Sequence, residues 1–182
     1  MWSRDLSLLM FLHQDDGFMV MTDTLATSPD GEPMAFTDKC WVLPSMNLIV
    51  ATTGIKDLGA RWVDVLYNRM LARDIAMLDL YAPDGLRRIW SDLVDEYGDL
   101  DGGTSTVYHF GIEAETGQMV RYIYRSTADF ETEATAESSF GIKPPPAAGA
   151  ATPDGVSEWI DLAERVRTEQ EATPTADRVH IG

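Results

Sequence analysis

The sequence predicts an α+β fold, and three observations carry that prediction. Residues 7–54 hold short apolar runs separated by turn-forming clusters, residues 55–97 change to a helical period, and residues 104–140 return to strand-like alternation. A chain of 182 residues is one domain, or at most one domain with a tail, and is long enough to bury a two-layer core.

In the first stretch the apolar runs are Leu8 to Leu12, Phe18 to Met21, Trp41 to Leu43 and Leu48 to Ala51, each read as a short strand. Asp15-Asp16-Gly17 separates the first two and carries the glycine signal of a tight hairpin. Breaks fall at Ser28 to Pro33 and at Pro44 to Asn47. After Gly54, the spacing of Ile55, Leu58, Trp62, Val65, Leu66 and Met70 predicts one long amphipathic helix reaching about Arg73. A second helix is expected from about Asp84, started and capped by Pro83-Asp84 and ended at Gly98. Its stripe includes Trp90, which, like Trp62, reads as core.

Thr104 to Ile112 and Met119 to Tyr124 alternate as a hairpin turned by Glu115-Thr116-Gly117, and a further β segment is expected over Thr132 to Phe140. Residues 142–153 are rich in Pro and Ala and read as an extended, mobile linker. A helix from about Asp154 to Glu171 and a last strand over Asp177 to Ile181 complete the chain.

Composition excludes several functions. A net charge of −16 and a pI near 4.3 disfavour nucleic acid and anionic membrane as partners, since both are polyanions. No apolar run is long enough to cross a bilayer, and residues 1–16 have neither the core nor the cleavage pattern of a signal peptide. The one cysteine, Cys40, cannot form an intramolecular disulfide and suits a reducing compartment, so a cytoplasmic location is expected. Asp99 to Gly103 is acidic and glycine-rich but lacks the remaining oxygen ligands of a calcium loop. Phosphate-loop, dinucleotide, Gly-x-Ser-x-Gly and His-Glu-x-x-His motifs are absent.

One stretch carries chemistry. Gly17 precedes Asp23 by six positions, Asp23-Thr24-Leu25-Ala26-Thr27 reads Asp-x-x-Ala-Thr, and Ser7 and Lys39 stand sixteen residues on either side of Asp23. The chain has only three lysines (Lys39, Lys56 and Lys143), and an arginine would not substitute, because it does not give up its proton. The pattern resembles the amino-terminal half of proteasome β-type subunits and related N-terminal-nucleophile hydrolases. The resemblance implies a four-layer αββα sandwich with a shortened carboxyl-terminal helical part, homo-oligomeric rings or stacked rings, and a peptide or other small amide as substrate. Residues 1–6 would be a leader, 7–141 the core, 142–153 the linker, and 154–182 a helix and strand of the same domain.

In that family the nucleophile's own α-amine is the general base. The resemblance places Ser7 as nucleophile, Lys39 lowering the pKa of the amine, Asp23 orienting Lys39, and a backbone N–H near Gly54 as oxyanion donor. Ser139, with Ser138 before Gly141, resembles the family's supporting serine. This chemistry calls for no metal or cofactor. It does require cleavage of the Leu6-Ser7 bond, because otherwise Ser7 has no free amine. A second reading stays open, in which the chain is a non-catalytic subunit of the same fold serving assembly or binding. Separately, Ser7, Asp23 and Lys39 also admit a bland reading as an ordinary strand, turn and surface residue.

Overall fold

The computed structural model describes residues 7–28, 32–69, 71–98, 100, 103–174 and 178–182. The expected leader, Asp99 and Asp101 of the acidic turn, and Asp177 lie outside them.

The described residues form three sheets and four α-helices in a mixed α+β arrangement. Strands β1 (Leu9–Gln14) and β2 (Gly17–Thr22) make the expected hairpin, and β10 (Ser139–Lys143) pairs antiparallel with the other edge of β1. A two-stranded hairpin joins β3 (Leu25–Thr27) to β4 (Pro33–Phe36). The largest sheet runs β5 (Cys40–Leu43), β6 (Leu48–Gly54), β7 (Ser105–Ile112), β8 (Met119–Arg125) and β9 (Thr132–Thr135), every pair antiparallel.

Helices α1 (Lys56–Asn68), α2 (Ile75–Asp79) and α3 (Ala82–Tyr97) follow β6, and α4 (Val156–Glu171) follows β10. The helix expected to reach Arg73 ends at Asn68, and the short α2, which the periodicity does not announce, starts beyond it at Ile75. Asp74 accepts from the Met77 N–H at 2.9 Å as an N-cap, and its other oxygen accepts from the Ala114 N–H at 3.1 Å. That carboxylate satisfies a helix start better than a continuing helix could use it.

The β segment expected over Thr132 to Phe140 also divides. Its first part pairs with β8 in one sheet and its second with β1 in another, so the chain changes sheets between Thr135 and Ser139. The linker begins later than expected, because Ile142 and Lys143 pair with Met10 and Leu9. Residues 178–182 carry no strand.

Side-chain alternation sorts these strands onto faces. Val50, Val107, Tyr122 and Tyr124 of the five-stranded sheet share one cluster with Trp62 of α1, Leu78 of α2 and Leu86 of α3. The opposite face contributes Ala51, Tyr108, Phe110 and Ile123 to a second cluster with Leu9 and Phe11 of β1. Leu8 and Met10, pointing the other way from the first hairpin, pack with Trp159, Leu162 and Val166 of α4. The apolar space between the two larger sheets has polar groups at each end: Ser7, Asp23 and Lys39 at one, His13 and Arg121 at the other, all but Arg121 buried.

Candidate active site at the open end of strand β1

The β1–β2 register, with Leu9 opposite Thr22, places Leu8 opposite Asp23. The Asp23 N–H donates to the Leu8 carbonyl at 3.1 Å, while the Leu8 N–H donates to Asp23 Oδ1 at 2.9 Å. A side-chain carboxylate thus replaces a ladder acceptor where the strand pair ends. On the neighbouring sheet, the Thr52 N–H donates to the Lys39 carbonyl at 2.9 Å, which anchors Lys39 beside β6 just before β5 begins. Lys39 Nζ reaches back to donate to Asp23 Oδ1 at 2.9 Å and to the Leu25 carbonyl at 2.6 Å. One oxygen therefore ties together the residue after Ser7 and the buried ammonium.

The pair is shielded from water, with side-chain exposures of 9% for Lys39 and 1% for Asp23. Burial pushes the Asp23 carboxyl above its ordinary range, opposed by the Lys39 charge and by hydrogen bonds, with Lys39 and Leu8 among the donors. Burial likewise pulls the Lys39 ammonium below its ordinary range, opposed by Asp23. Desolvation leads in both, so each group depends on the other to stay charged.

Ser7 is 2% exposed and directly precedes Leu8. Alternation through Leu8 and Leu9 puts its side chain on the inter-sheet face with Leu9 and Phe11. Gly54 closes β6 opposite Ser105 with φ +95°. A Cβ there would lie 2.0 Å from the Thr104 carbonyl oxygen, so the close approach and the dihedral both require glycine. Beyond it, the Ile55 N–H donates to Ser105 Oγ at 2.8 Å.

Ser139 is not brought to this cluster. It pairs with His13, six residues along β1 from Ser7, a separation of roughly 20 Å at strand rise. Its hydroxyl accepts from Arg121 Nη1 at 2.8 Å, and that guanidinium lies 4.5 Å above the Phe11 ring. Sequence reasoning missed the Leu25 carbonyl, the Leu8 N–H and Lys143. Lys143 falls in the expected linker, yet its Nζ donates to Thr53 Oγ1 at 3.3 Å across the inter-sheet face. Its pairing partner Leu9 could have been suspected only from the apolar alternation of residues 139–142.

Cys40, His109 and His13 are engaged in packing. Cys40 is partly buried and its thiol is pushed up to about 11 by burial, which keeps it protonated. His109 Nε2 accepts from the Trp62 indole N–H at 2.8 Å, and burial lowers its pKa to about 3. His13 packs against Phe18, and neither ring nitrogen makes a hydrogen bond of ordinary geometry. Among the described residues, no group of three or more His, Cys, Asp or Glu is placed to hold a metal ion. None of the helices among them is long and apolar enough to cross a membrane.

No protein-family profile matches the chain, and no curated protein does. Among solved structures it is similar to a chain from the helical assembly of the Anbu complex of Pseudomonas aeruginosa. The TM-score is 0.64 at 11% identity, over 96% of this chain and 77% of that one. At such identity the likeness is one of fold alone. The resemblance to proteasome β-type subunits, read from Ser7, Gly17, Asp23 and Lys39, is therefore corrected as a family assignment. Four short matches spread over 33 residues support no family profile, and the likeness that stands is this mixed α+β fold, shared with the Anbu chain.

Proposed function

We propose that the chain is an amide hydrolase in which Ser7, exposed as an amino-terminal residue by cleavage of the Leu6-Ser7 bond, is the nucleophile. The observation that carries this reading is the shared acceptor: Asp23 Oδ1 takes a hydrogen bond from Lys39 Nζ and another from the Leu8 N–H, each at 2.9 Å. The same carboxylate that orients the ammonium thus fixes the backbone next to Ser7. Once free, the Ser7 amine would have a buried positive charge nearby, which disfavours its own protonation and leaves it able to accept the hydroxyl proton. The hydroxyl oxygen then attacks the amide carbonyl, an acyl-enzyme forms, the amine leaves with the proton, and water completes the hydrolysis. An N–H at the Gly54 turn is the candidate oxyanion donor. Ser139 is given no part in this step.

The three apolar clusters suit a four-layer αββα order, with the active site at the polar end of the middle seam. We read residues 7–182 as one domain and residues 1–6 as the leader. Copies of the chain are expected to associate, as the Anbu chain does in its helical assembly. Intact mass and amino-terminal sequencing of the wild type and of Ser7→Ala test the proposal. A wild type that begins at Ser7 beside a variant that keeps Met1 supports it. Retention of the leader by both under all conditions refutes it and favours an assembly or binding role.

A further inference from the structure

Residues 178–182 follow α4 and run back to Asp23. Arg178 fastens the start of the segment: its Nε donates to the Thr173 carbonyl at 3.1 Å and its Nη2 to the Glu171 carbonyl at 2.7 Å. These are carbonyls at the end of α4, where a cation is well placed against the helix dipole. The Val179 N–H donates to Gln170 Oε1 at 2.8 Å, and Ile181 packs on the cluster of Leu8, Met10 and Trp159. At the far end the Gly182 carbonyl accepts from the Thr24 N–H at 3.3 Å. A Cβ on Gly182 would stand 2.6 Å from Leu25 Cβ, so the main chain lies directly against the Asp23–Leu25 corner.

That corner needs support. Asp23 and Thr24 fall between β2 and β3 and belong to neither ladder. Asp23 nevertheless has to aim one oxygen at two donors, while its Oδ2 is buried and accepts no hydrogen bond of ordinary geometry. The Gly182 N–H faces this carboxylate and favours its charged form.

We infer that residues 178–182 are a strap that positions Asp23, with Gly182 as the positioning residue and Arg178 as the fastening. The inference rests on the Ser7 reading for its bearing on catalysis. The strap itself is a statement about Asp23 and is testable without turnover. With the strap loosened, Thr24 loses its acceptor, the carboxylate loses a facing N–H, and its hold on Lys39 and Leu8 slackens.

The experiment follows the Asp23 carboxyl carbon by NMR titration in the 182-residue chain, its signal identified by loss in Asp23→Asn. Gly182→Ala and Arg178→Ala are compared with wild type, and Arg178→Lys serves as the conservative rescue. The expected result is an Asp23 midpoint raised by about one pH unit in both alanine variants, since displacing the Gly182 N–H from the carboxylate disfavours its charged form, with partial return in Arg178→Lys. Where the wild type hydrolyses an amide substrate, kcat is expected to fall about tenfold with KM little changed, and the acid limb of the pH–rate profile to move upward with the midpoint. An unchanged Asp23 midpoint in folded Arg178→Ala, which leaves every group touching Asp23 in place, overturns the strap. Should Gly182→Ala not fold, Arg178→Ala alone decides. A wild type that hydrolyses no amide refutes the Ser7 reading, and the titration still decides the strap.

Discussion

Lys39→Met removes the cation from a pair whose side chains are 9% and 1% exposed, with little change in side-chain length. Asp23 then keeps the Leu8 N–H and the facing Gly182 N–H but no cation, and its second oxygen has no partner of ordinary geometry. Breaking a buried pair by removing one partner costs about 3–5 kcal/mol, a large share of the roughly 5–15 kcal/mol by which a domain is stable. The cost should depend on pH. Burial already raises the Asp23 pKa above its ordinary 3.8, and loss of Lys39 raises it further. Between 3.8 and the raised folded value the native state binds a proton that the unfolded state does not. Stability of the variant therefore falls as pH rises through that window, at up to about 1.4 kcal/mol per pH unit. Urea unfolding of wild type, Lys39→Met and Asp23→Asn/Lys39→Met at pH 5 and pH 8 measures this. The single variant should be weakest at pH 8, and the double variant should recover most of the loss at both pH values. A cost below about 1 kcal/mol at pH 8, with no pH dependence and no recovery in the double variant, would show that water reaches the carboxylate and that the pair is not closed.

Other perturbations probe the parts that hold the site. Gly54→Ala combines a φ of +95° with a Cβ 2.0 Å from a carbonyl oxygen, and chemical denaturation should show a loss of at least about 2 kcal/mol. Trp159→Ala removes a 2% exposed side chain lying edge-on to Phe140, and should cost about 3–5 kcal/mol in the same assay. His109 titrates near 3 when folded and near 6.5 when unfolded, so its contribution is complete above 6.5 and is lost as pH falls toward 3. His109→Gln should flatten that part of the stability profile between pH 4.5 and pH 7. Ser139→Ala should leave hydrolysis by Ser7 unchanged while costing about 1 kcal/mol, through the acceptor it takes from Arg121.

Regular periodicity was legible wherever one face of an element is buried. The β1–β2 hairpin, the start of α1, α3, the β7–β8 hairpin and α4 all lie within a few residues of their expected bounds, because each carries its own alternation or 3.6-residue repeat. Boundaries were lost where a distant partner decided them. Asp74 caps α2 while also holding Ala114, and nothing near it in sequence announces the second contact. The change of sheet between β9 and β10 was equally silent, since the two strands read as one apolar-polar segment and differ only in which neighbour they pair with.

The candidate site divides in the same way. Ser7, Asp23 and Lys39 could be picked out in the sequence only through a resemblance in residue type and interval, not from any local pattern of their own. The sequence by itself determined the α+β class, the acidic surface charge and the short-range hairpins and helices, all of which depend on local pattern and composition. Only the tertiary structure decided that Asp23 Oδ1 is shared between Lys39 and the Leu8 N–H, that Ser139 belongs to the far end of β1, and that Gly182 returns to brace the corner. Those contacts join residues 15 to 158 positions apart in the chain, and burial of the apolar faces that packs the two larger sheets and α4 together holds them in place.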